Sequence, residues 1–338
     1  MAQVLLTGGA GFIGAHTAVQ LIEAGFKVVI LDNFSTSSPT VIDRIESITA
    51  VRPVLYNLDV RDRQGLARLF IEQDISAVIH FAALKVAPAS VSEALSYYDN
   101  NVGGALALVD AMNKYGCKQF VFSSTANVYG DYAASPVCED TPLDPSNPYG
   151  KSKLMVEQML ADIHLAHPDL SIAILRYFNP VGAHSSGLIG EDPCGTPTNL
   201  MPYIAKVAAG QLPYLNIYGN DYATHDGTGV RDFIHVVDLA DAHIAALKFI
   251  NQHQGIHTWN VGTGKGYSVL DMVHAFEKAS ECQVPYQIVP RRAKDIPVSY
   301  AEVTKSSVEL GWRTARGIEE MCADLWLWQK KNPNGYDG

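Results

Sequence analysis

The chain has 338 residues, of which 47% are hydrophobic and 18% are charged. This length supports one large domain or two medium ones around a substantial core, and the composition is unlike that of disordered or collagen-like chains. The formal net charge of −10 repels a phosphate backbone, so we expect no nucleic-acid partner.

Targeting, cysteine and histidine patterns narrow the class further. The sequence has no basic and apolar leader and no apolar run near 18 residues, so we expect neither export nor a membrane span. The eleven histidines show no metal-ligand spacing, and we predict no metal site. The cysteines are far apart without a CxxC pair, which argues against disulfides and favours the cytoplasm; they are Cys117, Cys138, Cys194, Cys282 and Cys322.

The first half of the chain alternates short apolar runs with longer helical patterns. This alternation predicts an α/β fold with a doubly wound (Rossmann) parallel sheet covered by crossover helices. The predicted strands are 3–7, 27–32, 54–57, 77–81, 119–124 and 172–177, and the predicted helices are 13–23, 64–73, 97–114 and 149–167.

After Tyr177 the rhythm changes to a stretch rich in glycine and proline, which marks a boundary. We predict a Rossmann domain over 1–177 and, over 178–338, mainly a smaller mixed α/β substrate-binding lobe with some segments returning to the first domain. The predicted strands of this lobe are 215–218, 232–234 and 286–289, and its predicted helices are 236–250, 269–280 and 317–329.

A glycine-rich turn follows the first predicted strand. Gly8, Gly11 and Gly14 lie where a dinucleotide pyrophosphate meets a helix N-terminus. The second strand ends at Asp32, whose carboxylate suits an adenosine ribose and repels a 2′-phosphate. The alternative is a plain turn beside a helix-capping aspartate. It does not explain why a strand, the glycines, a helix, a second strand and the acidic residue follow one another at this spacing. The pattern predicts NAD as the cofactor.

A second set of residues suits proton transfer. Tyr149 and Lys153 are spaced i, i+4 in a helical pattern, so both side chains share one face. A nearby ammonium favours the phenolate, so we expect Lys153 to lower the pKa of Tyr149 and to make it a base. Thr125, at the end of a predicted strand, can hydrogen-bond the same substrate oxygen. A packed tyrosine and a solvated lysine are the alternative, which the dinucleotide pattern upstream disfavours.

A series of segments, in this order, resembles the extended short-chain dehydrogenase/reductases, and among them the UDP-galactose (UDP-glucose) 4-epimerase branch. The resemblance covers nearly the whole chain. The segments are TGGAGFIG, LDNFS, HFAALK, YYDNN, SSTANVYG, PYGKSK, LRYFNPVGAH, NLMPYI, GTGVRDFIHV and WNVGTG.

The resemblance implies a redox cycle with no net oxidation. Tyr149 would take the proton of the sugar 4-hydroxyl while hydride passes from the 4-carbon to the nicotinamide. The 4-keto sugar would turn over, hydride would return to its opposite face, and Tyr149 would restore the proton, with NAD as a retained cofactor. Arg231 and Arg292 would hold the UDP pyrophosphate as planar, permanently charged forks; ordinary surface ion pairing is the alternative for both.

The resemblance also implies two overlapping sets of contact residues. The cofactor set is Gly8, Gly11, Phe12, Ile13, Gly14, Asp32, Asn33, Phe34, Ser35, Thr36, Ser37, Asp59, Val60, Phe81, Ala82, Ala83, Lys85, Asn100, Thr125, Tyr149, Lys153, Tyr177 and Phe178. The UDP-sugar set is Lys85, Thr125, Ala126, Asn127, Tyr149, Tyr177, Phe178, Asn179, Asn199, Leu200, Asn216, Ile217, Tyr218, Arg231, Arg292, Asp295 and Ser299.

Residue identities distinguish this chain from some neighbouring branches of the family. Sugar 4,6-dehydratases carry an Asp-Glu pair directly after the active-site threonine, where this chain has Ala126 and Asn127, so dehydration is disfavoured. A UDP-glucuronate 4-epimerase stays open as an alternative. A non-catalytic NAD-binding regulator is a further alternative of a different class, although such a protein has no need of Tyr149, Lys153 and Thr125.

Some positions differ from the family pattern. Thr125 stands where serine is common, Pro88-Ala89-Ser90 replaces Gly-Glu-Ser, and Lys294 replaces a glycine. Ser299 is small where a bulky residue would act as a wall against N-acetylated sugars, so we expect activity on UDP-N-acetylglucosamine and UDP-N-acetylgalactosamine as well; a solvent-facing serine without influence is the alternative. The family also implies a homodimer joined through helices 97–114 and 149–167.

Overall fold

The computed structural model describes residues 2–131, 134–292 and 295–337. The strands in this part of the chain are β1 Gln3–Thr7, β2 Lys27–Asp32, β3 Val54–Asn57, β4 Ala77–His80, β5 Gln119–Thr125, β6 Ser171–Tyr177, β7 Asn179–Val181, β8 Leu215–Tyr218, β9 Val230–Arg231, β10 Phe233–His235, β11 Ile256–Val261, β12 Tyr267–Ser268, β13 Tyr286–Val289 and β14 Val298–Ser299.

Helices connect these strands. They are α1 Phe12–Glu23, α2 Thr40–Thr49, α3 Arg63–Glu72, α4 Ala87–Ser92, α5 Ala94–Tyr97, α6 Gly104–Tyr115, α7 Pro148–Ala166, α8 Leu200–Ala208, α9 Val236–Ile250, α10 Val269–Ser280, α11 Thr304–Glu309 and α12 Ile318–Lys331, with a π-helical turn at Tyr98–Gly103 and 3₁₀ turns at Ala126–Tyr129 and Gly335–Asp337. None of the helices described here combines the length and apolarity that a bilayer span requires.

A seven-stranded sheet in the order β11-β6-β5-β4-β1-β2-β3 forms the centre of the molecule. All of its strand pairs are parallel. Its strands read as nearly continuous apolar runs because helices cover both faces. The strand order reverses beside β1, and the carboxyl ends of β1 and β4 flank the crevice where such sheets bind ligands.

Neighbouring residues of β1 show how the two faces are filled. Leu6 belongs to the apolar layer that includes α1, α9 and α12, whereas Leu5 belongs to the layer that includes α3, α6 and α7. Successive side chains of a strand point to opposite faces, so each face receives its own core. The central sheet, which ends at Thr125 in β5, is therefore packed on both of its faces.

The second half of the chain builds smaller sheets and also returns to the large one. The smaller sheets have the orders β12-β9-β14, β13-β8 and β10-β7. Strand β11 pairs with β6 as an edge of the central sheet, and α9 packs on α1. Segments after residue 177 thus extend the central sheet, while the division into 1–177 and 178–338 stays a prediction.

Several element boundaries differ from the sequence predictions. The single helix predicted over 97–114 is α5, the π-helical turn and α6. The strand predicted over 232–234 is wrong at Asp232, which separates β9 from β10 and whose main chain changes partner there: its nitrogen donates to the Ser299 carbonyl of β14, and its carbonyl accepts from the Asn179 nitrogen of β7, both at 3.0 Å. Helices α2 and α8 and strand β11 were not predicted, since short runs such as 256–261 carry too little periodicity.

Candidate active site

The glycine turn after β1 brings main-chain atoms close together. Gly8 has a φ of +69°, and a Cβ placed there would lie 2.7 Å from the Ala82 nitrogen. A Cβ on Gly14 would lie 2.4 Å from the Gly8 carbonyl oxygen. Among the described residues no side chain caps the start of α1 at Gly11, so the first N–H groups of that helix are available to an anion. These features fit a dinucleotide pyrophosphate.

Asp32, at the end of β2, ties the glycine turn to the following loop. Its carboxylate accepts hydrogen bonds from the Ala10 nitrogen at 3.0 Å, the Phe34 nitrogen at 3.0 Å and the Ser37 hydroxyl at 2.8 Å. Phe34 has a φ of 56°, a conformation that a bulky side chain adopts only where its surroundings impose it. Ser35 and Thr36 lie in the same loop.

The other predicted cofactor residues lie along the same edge of the sheet. Asn33 donates to Asp59 at 3.1 Å, and the neighbouring Arg61 guanidinium holds the pKa of Asp59 well below its usual range. Phe81 and Ala82 donate their N–H groups to the Thr7 carbonyl at 2.9 Å. The remaining members are Phe12 and Ile13 at the start of α1, Val60 after β3, Ala83 after β4 and Asn100 within the π-helical turn.

The catalytic candidates converge from β5 and α7. Thr125 is the last residue of β5, and Tyr149 and Lys153 lie in the first turns of α7, whose start is capped by the Asn147 side chain through the Gly150 nitrogen. The Thr125 hydroxyl oxygen accepts hydrogen bonds from the Asn127 main-chain nitrogen at 3.2 Å and from its Nδ2 atom at 3.1 Å, and it lies close enough to the Tyr149 phenol to influence the pKa of that group. The ammonium of Lys153 donates to the Ser123 main-chain oxygen at 2.7 Å. The structure thus brings together the three residues that the sequence predicted.

The prediction that the pKa of Tyr149 is lowered is wrong, because burial raises it. Burial is the largest cause and raises the pKa of Tyr149 to about 12, although the nearby Thr125 hydroxyl opposes this. Burial also lowers the pKa of Lys153 to about 7. The Lys153 ammonium is directed at the Ser123 carbonyl and lies 4.9 Å from the centre of the Phe122 ring.

Tyr177, at the end of β6, pairs in register with Thr125. Its phenol oxygen is hydrogen-bonded to the Nε2 atom of His243 on α9. Phe178 follows and is buried against Val128. His243 was not among the predicted site residues; the signal that could have indicated it is a histidine on the buried, otherwise apolar face of the predicted helix 236–250.

A buried carboxylate joins two predicted substrate residues. Glu191 accepts hydrogen bonds through one oxygen from Lys85 Nζ at 3.1 Å and from Asn199 Nδ2 at 2.9 Å. Sequence reasoning missed Glu191 because it lies in a loop without periodicity. Asn199 precedes α8, which begins at Leu200, and Asn179 begins β7.

The predicted pyrophosphate arginines lie in the smaller sheets and their loops. Arg231 donates to the Asp295 carboxylate at 2.5 Å and to the Val230 carbonyl at 2.8 Å, and Tyr222 donates to the other Asp295 oxygen at 3.3 Å. A guanidinium carries five N–H donors, so Arg231 retains further donors for a ligand. The Arg292 guanidinium lies 4.1 Å above the Tyr218 ring, a cation–π arrangement.

Strands β8 and β14 place the remaining substrate candidates. Ile217 is 1% exposed, so only its main chain can contact a ligand, whereas Asn216 and Tyr218 point the opposite way. Ser299 is the register partner of Arg231 in the parallel β14–β9 pair, so both side chains lie on one face. Ala126 and Asn127 begin the 3₁₀ turn after Thr125. The departure at Lys294 lies outside the described residues.

One further cluster lies apart from these residues. Within the described part of the chain, the ligand atoms of His225, Asp226 and Asp271 lie within 4.8 Å of one another. Their carboxylates already accept hydrogen bonds from Thr228 at 2.8 Å and from the Ser268 nitrogen at 2.9 Å. This arrangement caps α10 and its preceding loop, and the prediction that the chain has no metal site is unchanged.

The geometry defines a class of protein. A doubly wound sheet, a glycine turn at its switch point and a Tyr-x-x-x-Lys pair beside a threonine hydroxyl together describe a dinucleotide-dependent enzyme of the short-chain dehydrogenase/reductase type. The model of the NAD dependent epimerase/dehydratase family matches residues 4–262. The chain belongs to this family, as the sequence resemblance predicted.

Individual relatives extend the match over the full chain. It is 54% identical to the UDP-glucose 4-epimerase of Bacillus subtilis (strain 168) over 333 residues, 98% of either chain. It is 55% identical to that of Yersinia pestis over 98% of this chain and 99% of the relative. The Stenotrophomonas maltophila UDP-glucose 4-epimerase with bound NAD and formylated UDP-arabinopyranose aligns with a TM-score of 0.97 at 50% identity, over 98% of this chain and 99% of that one.

Proposed function

We propose that this chain interconverts UDP-galactose and UDP-glucose by transient oxidation at the sugar 4-carbon, with NAD as a retained cofactor. The observation that carries the proposal is the convergence of Tyr149, Thr125 and Lys153 at the crevice edge of the dinucleotide-binding sheet. Full-length similarity to UDP-glucose 4-epimerases supports it. These relatives give no comparable support to the two alternatives, a UDP-glucuronate 4-epimerase and a non-catalytic NAD-binding regulator.

The proposed roles of the residues follow from their contacts. Tyr149 takes the proton of the sugar 4-hydroxyl and later returns it, and Thr125, which lies close enough to the phenol to influence its pKa, orients that hydroxyl. Because burial lowers the pKa of Lys153 to about 7, its amine gains or loses a proton near neutral pH with little change in free energy. When bound, NAD supplies the hydride acceptor and a positive charge that favours the Tyr149 phenolate.

The site residues fit NAD better than NADP. The Asp32 carboxylate, held by three protein donors, occupies the end of β2, where an adenosine 2′-phosphate would meet a negative charge. Arg231 and Arg292 are proposed to bind the UDP pyrophosphate, and Lys85 and Asn199 to contact the UDP-sugar. These assignments rest on geometry and on the family resemblance.

Proton NMR of the purified protein with UDP-galactose, first without added cofactor, tests the proposal. We expect UDP-glucose to accumulate until both sugars reach equilibrium. No conversion after NAD is added would overturn it, and turnover of UDP-glucuronate under the same conditions would identify the alternative epimerase. Tyr149→Phe serves as the negative control.

We further propose that N-acetylated UDP-hexoses are substrates. Ser299 lies beside Arg231, and its small side chain leaves room that a tyrosine would fill. Ser299→Tyr should lower the activity ratio of UDP-N-acetylgalactosamine to UDP-galactose by about tenfold or more, with Ser299→Ala as the size-matched control. An unchanged ratio in Ser299→Tyr would remove this part of the proposal.

A cytoplasmic homodimer completes the proposal. The five cysteines are all free thiols, which suits a reducing compartment. Leu106 on α6 and Met155 on α7 are each 45% exposed, so the helices expected at the interface carry apolar side chains toward solvent. Sedimentation at micromolar concentration should give a dimer, and Met155→Glu should weaken it; a monomeric wild type would contradict it.

A further inference from the structure

We propose that His243 is a positioning residue that fixes the direction of a hydrogen-bond chain running from Tyr177 to α9. The chain consists of the Tyr177 phenol, the His243 ring and the Leu239 carbonyl. Both side chains are at most 5% exposed. The inference rests on the proposed function, because it assigns the end of this chain to the nicotinamide carboxamide of NAD.

The carbonyl at the far end sets the direction. His243 Nδ1 lies 2.8 Å from the Leu239 oxygen, and a carbonyl only accepts, so Nδ1 carries the proton. Burial lowers the pKa of His243 to about 4, so the ring is neutral at pH 7 and Nε2 offers a lone pair. The Tyr177 hydroxyl therefore donates to His243.

The same logic fixes the role of the Tyr177 oxygen. Since the only hydroxyl hydrogen of Tyr177 is committed to His243, this oxygen presents only lone pairs to any further partner. Tyr177 is the register partner of Thr125 in the β6–β5 pair, which places this acceptor beside the catalytic candidates.

Packing holds the His243 ring in place. Its centroid lies 4.8 Å from that of Phe81 and 5.2 Å from that of Tyr177. Beside the proposed base the cofactor must offer its nicotinamide end, whose only neutral hydrogen-bond donor is the carboxamide NH₂. A fixed acceptor at Tyr177 selects that donor and disfavours a ligand that brings only a carbonyl oxygen.

Equilibrium binding of NAD and of 3-acetylpyridine adenine dinucleotide, which has a methyl ketone in place of the carboxamide, tests this inference in nucleotide-freed protein. Wild type should prefer NAD. In His243→Phe the released Tyr177 hydroxyl can turn and donate to the ketone, so the preference should fall about tenfold. His243→Gln, which keeps a side-chain acceptor, should restore most of it.

A double-mutant cycle separates positioning from a structural role. If His243 acts through Tyr177, His243→Phe should have no further effect on the preference in a Tyr177→Phe background. Equal effects in both backgrounds, or an unchanged preference in folded His243→Phe, would overturn the inference.

Nitrogen-15 NMR of the wild type gives a test that does not depend on any variant folding. We expect His243 as the neutral Nδ1–H tautomer at pH 7, and an Nε2–H tautomer or an imidazolium would overturn the inference. Neither readout uses turnover: NAD bound with the expected preference but without epimerisation would refute the proposed function alone.

Discussion

The two ends of the candidate site are held in different ways. At the catalytic end, Lys153 is 3% exposed and donates to the main chain, and Tyr177 is 5% exposed and hydrogen-bonded to His243. At the nucleotide end of the substrate region, the Arg231 side chain is 24% exposed and Arg292 is exposed over a tyrosine ring. One end is a buried frame; the other is a charged surface.

This difference follows from the chemistry that each end is proposed to perform. Proton and hydride transfer require fixed distances and donors that do not reorganise, which a buried strand edge provides. Binding a diphosphate requires charge and several N–H groups, which guanidinium groups provide while partly hydrated. Substitutions at the first end should therefore reduce kcat, and substitutions at the second should raise KM.

The largest effect is expected for Tyr149→Phe. Removing the phenol hydroxyl takes away the proposed base while the ring keeps its packing, so kcat should fall by about 10³-fold. Steady-state kinetics with UDP-galactose and calorimetric binding of UDP measure the two effects separately. A fall in UDP affinity as large as the fall in kcat would contradict the division between the two ends.

The sequence predicts the strands and the long helix that carry the buried catalytic end better than it predicts the smaller sheets. The bounds of β2 and β3 agree with the predicted ranges 27–32 and 54–57, and α7 differs from 149–167 by one residue at each end. Buried parallel strands and long amphipathic helices carry their periodicity in a short stretch of chain. The smaller sheets of the second half, such as the two-residue β9 and β14, do not carry such a pattern.

The site shows the same limit. The i, i+4 spacing of Tyr149 and Lys153 is local, so the sequence predicts it. The partners Tyr177 and His243 lie 66 positions apart, and Lys85 and Glu191 lie 106 apart, and no periodicity relates them. Desolvation also depends on the packed structure, which is why the direction of the Tyr149 pKa could not be read from a neighbouring lysine.

The dependence of the unfolding free energy on pH tests the buried part of the molecule. Burial, with a smaller effect of the Lys153 charge, lowers the pKa of His80 from 6.5 to about 3. The unfolded chain therefore binds a proton between these pH values that the folded chain refuses, and stability falls as pH decreases through that window. Each such histidine contributes about 1.4 kcal/mol per pH unit to the slope.

His80→Asn tests this contribution. The variant should show a slope of unfolding free energy against pH, between about pH 6 and 4, smaller by about 1.4 kcal/mol per unit than wild type. Urea unfolding at a series of pH values measures it. Parallel profiles for the two proteins would show that His80 does not resist protonation in the folded state.

The smallest effect, and the sharpest test of the charged surface, is expected for Arg231. Arg231→Ala should raise the KM for UDP-galactose about tenfold and change kcat little, because the lost N–H groups bind the diphosphate equally in the ground state and the transition state. Arg231→Lys keeps the charge but not the fork, so its KM should lie between those of Arg231→Ala and wild type. Asp295→Asn controls for the lost ion pair with Arg231. A fall in kcat without a change in KM would place Arg231 in the proton-transfer frame and remove the distinction between the two ends.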